Sequence, residues 1–223
     1  MTKKLYCVGY GYGYANWFED VELTGDFEDP KFQIEDADIV LFTGGEDINP
    51  AIYGKEPHPT SYWPGGCSEI MGRDLREIKA FKRVRPDALA YGTCRGMQLL
   101  AALNGAILCQ DVSNHWCAGT HEIHNDNGDK YRITSLHHQM VYPFDLNPEW
   151  YDILFKTTPR SEHYYGDGID KTMYELHGEP EVILFHKPGL PKCLGVQGHP
   201  EMMSNNAPVV KMLNKLIDSI LNK

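Results

Sequence analysis

Cysteine is the strongest nucleophile among the common side chains, and one of the six in this chain stands where it would be exposed and activated. Gly92-Thr93-Cys94-Arg95-Gly96-Met97-Gln98 sets glycines two residues before and two residues after Cys94. The apolar run Ala88-Leu89-Ala90-Tyr91 precedes it, and the helix-like Met97-Gln98-Leu99-Leu100-Ala101-Ala102-Leu103 follows. The pattern predicts a strand, a sharp turn and a helix. In such a nucleophile elbow the turn leaves no room for Cβ atoms, hence the glycines, and the central side chain is pushed clear of the sheet. The positive end of the helix dipole then favours a thiolate. A thiolate that attacks an amide needs a base to manage its proton and a third group to orient that base. Gly195-Val196-Gln197-Gly198-His199-Pro200-Glu201 offers both. If the stretch ending at Gln197 is a strand, His199 and Glu201 turn to the same side, and a triad of Cys94, His199 and Glu201 follows.

Four blocks in order carry a family resemblance. They are Leu41-Phe42-Thr43-Gly44-Gly45-Glu46-Asp47-Ile48-Asn49-Pro50 with Tyr53-Gly54, the cysteine elbow, Ile133-Thr134-Ser135-Leu136-His137-His138-Gln139, and the His199/Glu201 block. Running from residue 41 to 201, they resemble a class I glutamine amidotransferase domain. The closer likeness is to the γ-glutamyl hydrolase, peptidase C26-like branch that includes γ-glutamyl-γ-aminobutyrate hydrolases. Synthetase-linked domains commonly read Cys-Leu-Gly-His-Gln at the turn and Ser-Gly-Gly-Pro in the early block. Arg95, Met97 and Thr43-Gly44-Gly45-Glu46-Asp47 are similar instead to the free-standing hydrolases, as is Arg73-Asp74 with its helical run to Phe81.

The resemblance implies further roles. Gly44 and Gly45 could form an ordinary turn, but a tetrahedral intermediate needs N–H donors at its oxyanion and glycine allows close approach. By resemblance, the N–H groups of Gly45 and Arg95 form that hole, with Gly44 beside the substrate. Gln98, one turn beyond Cys94, matches the residue that meets the amino-acid end of the γ-glutamyl group. Ser135, His137 and His138 match the substrate-binding loop, although a strand end with two exposed histidines is an ordinary alternative. Neither histidine takes the base role ahead of His199.

Two departures stand out. The hydrolases usually carry an aromatic residue before the base, where this chain has Gly198, so the wall beside His199 is expected to be open or filled from elsewhere. Only about thirty residues separate the strand-like Leu5-Tyr6-Cys7-Val8-Gly9 from Ala37 to Phe42, which implies a fold shortened on its N-terminal side, with at least one sheet element trimmed.

The implied activity is cysteine-dependent hydrolysis of the γ-amide of glutamine or of a γ-glutamyl amine through a γ-glutamyl thioester, with no cofactor. Two alternatives stand beside it: a glutaminase subunit that delivers ammonia to a synthase partner in trans, and a non-catalytic binding protein. His115, Cys117, His121 and His124 have soft-ligand types at short spacing, but they match no finger, and His121-Glu122-Ile123-His124 is one residue short of the metalloprotease helix motif. No metal is expected, and by resemblance the stretch belongs among variable loops over the pocket.

To position these residues the chain must build a sheet with helices on it. Strand-like runs at 5–9, 37–43, 88–91 and 107–109 alternate with helical patterns at 73–83, 97–104 and 207–221. That alternation predicts an α/β fold with a mostly parallel central sheet, flavodoxin-like, and function at the carboxyl ends of the strands. Segments 131–135, 152–156, 173–176, 181–185 and 193–197 read as appended antiparallel strands or hairpins. Residues 49–66 and 164–168 read as loops. The aromatic stretch from Tyr10 to Phe18 reads either as a platform at the substrate mouth or, more simply, as a loop whose rings pack on the core.

A length of 223 residues with 42% hydrophobic residues is enough for one α/β domain over residues 1–223. The 21 basic against 31 acidic residues give a formal charge of −10, which repels phosphate backbones and argues against nucleic acid as a direct partner. No apolar run has membrane-span length, and Met1-Thr2-Lys3-Lys4 leads directly into a strand-like segment. The cysteines show no paired framework. A cytoplasmic protein acting on a small γ-glutamyl molecule is expected.

Overall fold

The computed structural model describes residues 2–9, 12–26, 33–59 and 67–222. In the first half lie β1 (Lys3–Val8), β2 (Val21–Asp26), β3 (Ile39–Phe42), α1 (Cys67–Phe81), β4 (Leu89–Thr93) and α2 (Arg95–Asn104). Then come β5 (Ile107–Cys109), β6 (Asp111–Val112), β7 (Trp116–His124), β8 (Lys130–Leu136) and β9 (Met140–Tyr142). The remainder is β10 (Tyr151–Thr157), β11 (Tyr164–Tyr165), α3 (Lys171–His177), β12 (Glu179–Phe185), β13 (Lys192–Val196) and α4 (Pro208–Leu221).

Nine strands form one sheet in the order β2-β1-β3-β4-β13-β12-β10-β7-β8. From β2 to β13 neighbours pair parallel. From β13 outward to β8 they pair antiparallel. Every residue of β3 and β4 is buried, as parallel strands covered on both faces require. The period of two sorts them: Val40 and Phe42 join the cluster containing Phe81 of α1 and Leu99 and Leu100 of α2, while Ile39 and Leu41 join the cluster containing Leu213 and Ile217 of α4. In α4 the buried Val209, Val210, Leu213, Ile217 and Ile220 recur every three to four residues, an apolar stripe laid on the sheet.

Register places the site. Phe42 lies opposite Gly92, and Gly92 opposite Gly195. The chain therefore leaves β3, β4 and β13 at one level, carrying Gly44-Gly45, Cys94 and His199 to the same end of the sheet.

Several expectations are corrected. Residues 173–176 are helical, because Asp170 caps Thr172 and Gly178 ends the turn. Segment 193–197 enters the central sheet, parallel to β4, and only its other edge is antiparallel. The interval expected to lack an element holds β2, while its other described residues form two short 3-10 turns and no α-helix. Residues 116–124, read as loop, are strand β7. The buried His121 and Ile123 alternate there with exposed Glu122, and a buried histidine hides such alternation from a hydropathy reading. Tyr164 and Tyr165 pair with β6, and Pro50–Tyr53 makes a 3-10 turn, with residues 60–66 outside the described residues. Tyr10 and Gly11 also lie outside them. Trp17 and Phe18 pack on Tyr91 in the core. Among the described residues no helix is long and apolar enough to cross a membrane.

Candidate active site

Cys94 stands between β4 and α2 with φ 51° and ψ −109°, a backbone few non-glycine residues adopt. Such strain costs about 1–3 kcal/mol and persists only where the surroundings over-determine it. Here they do. A Cβ on Gly92 would lie 2.4 Å from the Gly96 carbonyl carbon, and one on Gly96 would lie 2.1 Å from the Phe42 carbonyl oxygen. The Cys94 N–H donates to the Val196 carbonyl at 2.7 Å. The elbow is thus pinned to both neighbouring strands.

His199 follows β13 and is held at its backbone by Thr134 of β8. Its N–H donates to Thr134 Oγ1 at 2.7 Å, and that hydroxyl donates to the His199 carbonyl at 3.4 Å. His199 Nδ1 donates to Glu201 Oε1 at 2.6 Å. The Cys94 thiol acts on the same imidazole. Burial alone would lower the His199 pKa, but the hydrogen bonds and charges of Cys94 and Glu201 outweigh it and raise the value to about 10. An imidazolium poised between a sulfur and a carboxylate results.

Gly198 turns out to be required by packing. A Cβ there would lie 2.5 Å from Ile133 Cγ1 and 2.7 Å from the Thr134 carbonyl oxygen. β8 fills the space beside Gly198. Tyr14, half-buried, lies beside the same imidazole: its ring centroid is 6.4 Å from that of His199, and its hydroxyl would lie 2.8 Å from a Cβ on Gly44. Burial first, then the Glu201 and Cys94 charges, pushes the phenol up to about 12, so it remains a neutral donor.

Gly45, with φ 145°, borders the same cleft as Cys94. Arg73 of α1 lies directly behind it, with Nη1 2.3 Å from where a Gly45 Cβ would sit. Its guanidinium donates to the Gly44 carbonyl at 3.0 Å and to Thr43 Oγ1 at 3.2 Å, and it pairs with Glu46 at 2.7 Å and Glu77 at 2.9 Å. The side chain of Arg95 is fully buried and donates to both Asp74 and Glu77. Burial holds the Asp74 carboxyl above its ordinary value against the pull of Arg95.

The cleft above Cys94 has a volume of about 320 Å³ and is bordered by Gly45, Gln98, His137 and His138 among the expected residues. Gln98 Nε2 donates to the Gln139 carbonyl at 3.1 Å. His138 pairs with Asp47 at 2.9 Å and Asp111 at 3.4 Å. The hydrogen bond to Asp47 raises its pKa despite burial. His137 is buried, and desolvation with the neighbouring His115 pushes its pKa well down. Ser135 is fully buried, does not border the cleft, and donates to the His115 carbonyl at 2.8 Å.

Tyr14 comes from the aromatic stretch that the sequence reads either as a platform or as core packing, and Asp47 and Thr134 come from the matched blocks, but the sequence assigns none of the three, nor Glu77, a role of its own. Arg73 and Glu77 carry a detectable signal, since four residues separate them on α1 and Asp74 and Glu77 share the helix face that also buries Ala80 and Phe81.

The profile of the peptidase C26 family matches residues 21–150. Protein NtpR of Enterococcus hirae is 28% identical over 194 residues, 76% of this chain and 69% of that protein. A glutamine amidotransferase-like protein of Lactococcus lactis, a YvdE homolog, is 33% identical over 125 residues, 47% of this chain and 64% of that one. A crystal structure from Thermoplasma acidophilum, of a protein assigned to GMP synthase as one of its subunits, superposes with a TM-score of 0.59 at 14% identity, covering 100% of this chain and 95% of that one. At that identity the likeness speaks for the fold. The family match covers more than half of the chain and includes the elbow, the Gly44-Gly45 block and the Ser135 to Gln139 block. The chain belongs to the peptidase C26 family, with a class I glutamine amidotransferase-like fold and the amide C–N bond as the object of its chemistry.

Proposed function

We propose that the protein hydrolyses the side-chain amide of a γ-glutamyl compound with Cys94 as nucleophile. The observation that carries this reading is the strained elbow that sets Cys94 at an open cleft, with the His199–Glu201 hydrogen-bonded pair acting on the same site. The Cys94 thiolate adds to the γ-carbonyl, forming a C–S bond and an oxyanion received by the Gly45 and Arg95 N–H groups. As the C–N bond breaks, the His199 imidazolium gives its proton to the leaving amine. Water then loses a proton to His199 and adds to the thioester. The C–S bond breaks, and glutamate leaves with the thiolate restored. Glu201 keeps the imidazole in orientation throughout.

The cleft suits the amino-acid end of such a substrate. Asp47, whose Oδ2 has no partner among the described residues, fits an α-ammonium group, and His138 borders the same cleft with its two ring nitrogens held by Asp47 and Asp111. Gln98 and Gln139 border the remaining wall.

The test is glutamate release from glutamine and a panel of γ-glutamyl amides, wild type beside Cys94→Ala. Release from a γ-glutamyl amine that is absent in the variant supports the proposal. Substantial turnover by a folded Cys94→Ala protein overturns it. A second reading, delivery of ammonia to a synthase partner in trans, draws on the whole-chain likeness to the Thermoplasma acidophilum protein assigned to GMP synthase. Glutamine turnover that stays low until a partner binds would favour it, and high unassisted turnover of γ-glutamyl amines would count against it.

A further inference from the structure

A second cluster of chemistry-bearing side chains lies beside the cleft, which His137 also borders, with members near the ends of β7 and β8 and on β12. His115, His137 and Glu181 are all buried, and each offers one ligand atom within 4.8 Å of the others. Hydrogen bonding fixes where their protons sit. His137 Nδ1 donates to the Gln139 carbonyl at 2.9 Å, so Nε2 carries the lone pair, and that atom is buried with no partner among the described residues. His115 Nε2 lies 3.0 Å from Glu179, whose carboxylate accepts from it, leaving Nδ1 as the lone-pair nitrogen. The nearest hydroxyl, Ser135 Oγ, is 3.5 Å from Nδ1 and already donates to the His115 carbonyl. Glu181 Oε1 accepts from His121 Nε2 at 2.7 Å, and Oε2 is buried and unpartnered.

Each of the three residues thus keeps an acceptor that finds no donor to spare for it among the described residues. A buried polar atom left unpaired is costly, and a single water, with two protons, satisfies two of the three. A cation satisfies them all. We propose that His115, His137 and Glu181 bind one divalent transition-metal ion, Zn²⁺ by the chemistry of a two-histidine, one-carboxylate set, with a fourth position left for water.

The outer contacts match such a site. Metal-bound histidines hand their other N–H to a carbonyl or carboxylate, and a bound carboxylate is itself hydrogen-bonded; here Gln139, Glu179 and His121 play those parts. Zn²⁺ bonds of about 2.0–2.2 Å set tetrahedral ligands roughly 3.4 Å apart, so binding draws the three side chains inward. The ion takes no step in amide cleavage. Its effect on the cleft runs through the Gln139 carbonyl, which accepts from both His137 and Gln98, so that the metal site and the orientation of Gln98 share one anchor. The ligand set differs from the grouping visible in sequence: His124 stands at the far end of β7 and takes no part, and the side chain of Cys117 lies outside the described residues.

The test is Zn²⁺ titration of chelator-stripped protein by calorimetry, with bound metal counted by mass spectrometry. One equivalent is expected in wild type and in Cys94→Ala, with affinity at least about 100-fold weaker in His137→Gln and Glu181→Gln and about 10–100-fold weaker in His121→Gln. Should those variants fail to fold, Co²⁺ added to wild type gives an independent readout: tetrahedral d–d bands with no thiolate-to-cobalt charge-transfer band. Failure of wild type to take up a stoichiometric ion overturns the proposal. So does uptake that vanishes in Cys94→Ala yet survives in His137→Gln, or a cobalt spectrum dominated by thiolate charge transfer.

Discussion

Replacing Gly198 by alanine tests whether β8 sets the position of His199. Gly198 has no positive φ. If backbone freedom were all that mattered, alanine would stabilise the protein by about 0.4–1 kcal/mol through the unfolded chain. Packing predicts the opposite sign. The added Cβ would sit 2.5 and 2.8 Å from Ile133 Cγ1 and Cδ1 and 2.7 Å from the Thr134 carbonyl oxygen. Ile133 is completely buried, and Thr134 presents backbone, which has no rotamer to yield. Overpacking costs about 1–3 kcal/mol. With a backbone atom among the obstacles we take the upper part of that range, about 2–3 kcal/mol, or a fall in melting temperature of about 4–12 °C for a chain of this size.

The same displacement moves the two hydrogen bonds by which Thr134 holds the His199 backbone. A misplacement approaching 1 Å costs roughly 100-fold in rate, so kcat should fall by about that factor at a temperature where the variant is folded. Ile133→Ala removes two of the three obstacles. In a double-mutant cycle the pair should therefore be less destabilised than the sum of the single changes, by about 0.5–3 kcal/mol. Calorimetric melts of the four proteins supply the numbers. A Gly198→Ala protein that melts with or above wild type, or a cycle with no coupling, would refute the packing argument.

Two further outcomes are expected. His199 has its pKa raised from 6.5 to about 10, so its contribution to stability is complete below about pH 6.5 and is lost as pH rises through about 10; the gap between wild type and His199→Gln in denaturant melts should shrink across that window, and NMR of the imidazole should show a lower pKa in Cys94→Ala, a constant gap or an unmoved titration being the contrary results. Arg73→Lys keeps the charge but loses the fork that grips the Gly44 carbonyl and Thr43, so kcat should fall about 100-fold or more, as for loss of one oxyanion donor, with wild-type kcat in Arg73→Lys as the refuting result.

The elbow and the hydrogen-bonded His199–Glu201 pair were legible because each follows from short-range chemistry: two glycines around a cysteine, then histidine and glutamate two apart after a strand. The parallel core was legible for the same reason, since β3, β4 and α4 state their periods plainly. What sequence could not give were groups whose role comes from a neighbour far along the chain. Gly198 reads as the loss of a wall until Ile133 and Thr134 are seen to supply it. Ser135 and His137 read as substrate contacts from their block alone, whereas Ser135 is turned to the His115 backbone. β7 was hidden because its inward residues include histidine, and 173–176 was misread because Asp170 and Gly178, which cap the helix, lie just outside the segment.

The charges on α1 bring the two halves of the site together. Burying Arg95 with Asp74 and Glu77, and Arg73 beside Glu77, is costly, and apolar residues of similar volume commonly serve stability as well or better. Stability is therefore a weak reason for the arrangement. Geometry is a stronger one. The two candidate oxyanion donors, the N–H groups of Gly45 and Arg95, belong to loops that leave different strands, yet the guanidinium of Arg73 grips the first loop and the side chain of Arg95 anchors the second, and both end on Glu77. A planar, forked cation fixes direction as well as distance. One helix thereby sets the spacing of two amides whose donor geometry must be right before an oxyanion forms, and the cost of the buried charges is borne for orientation.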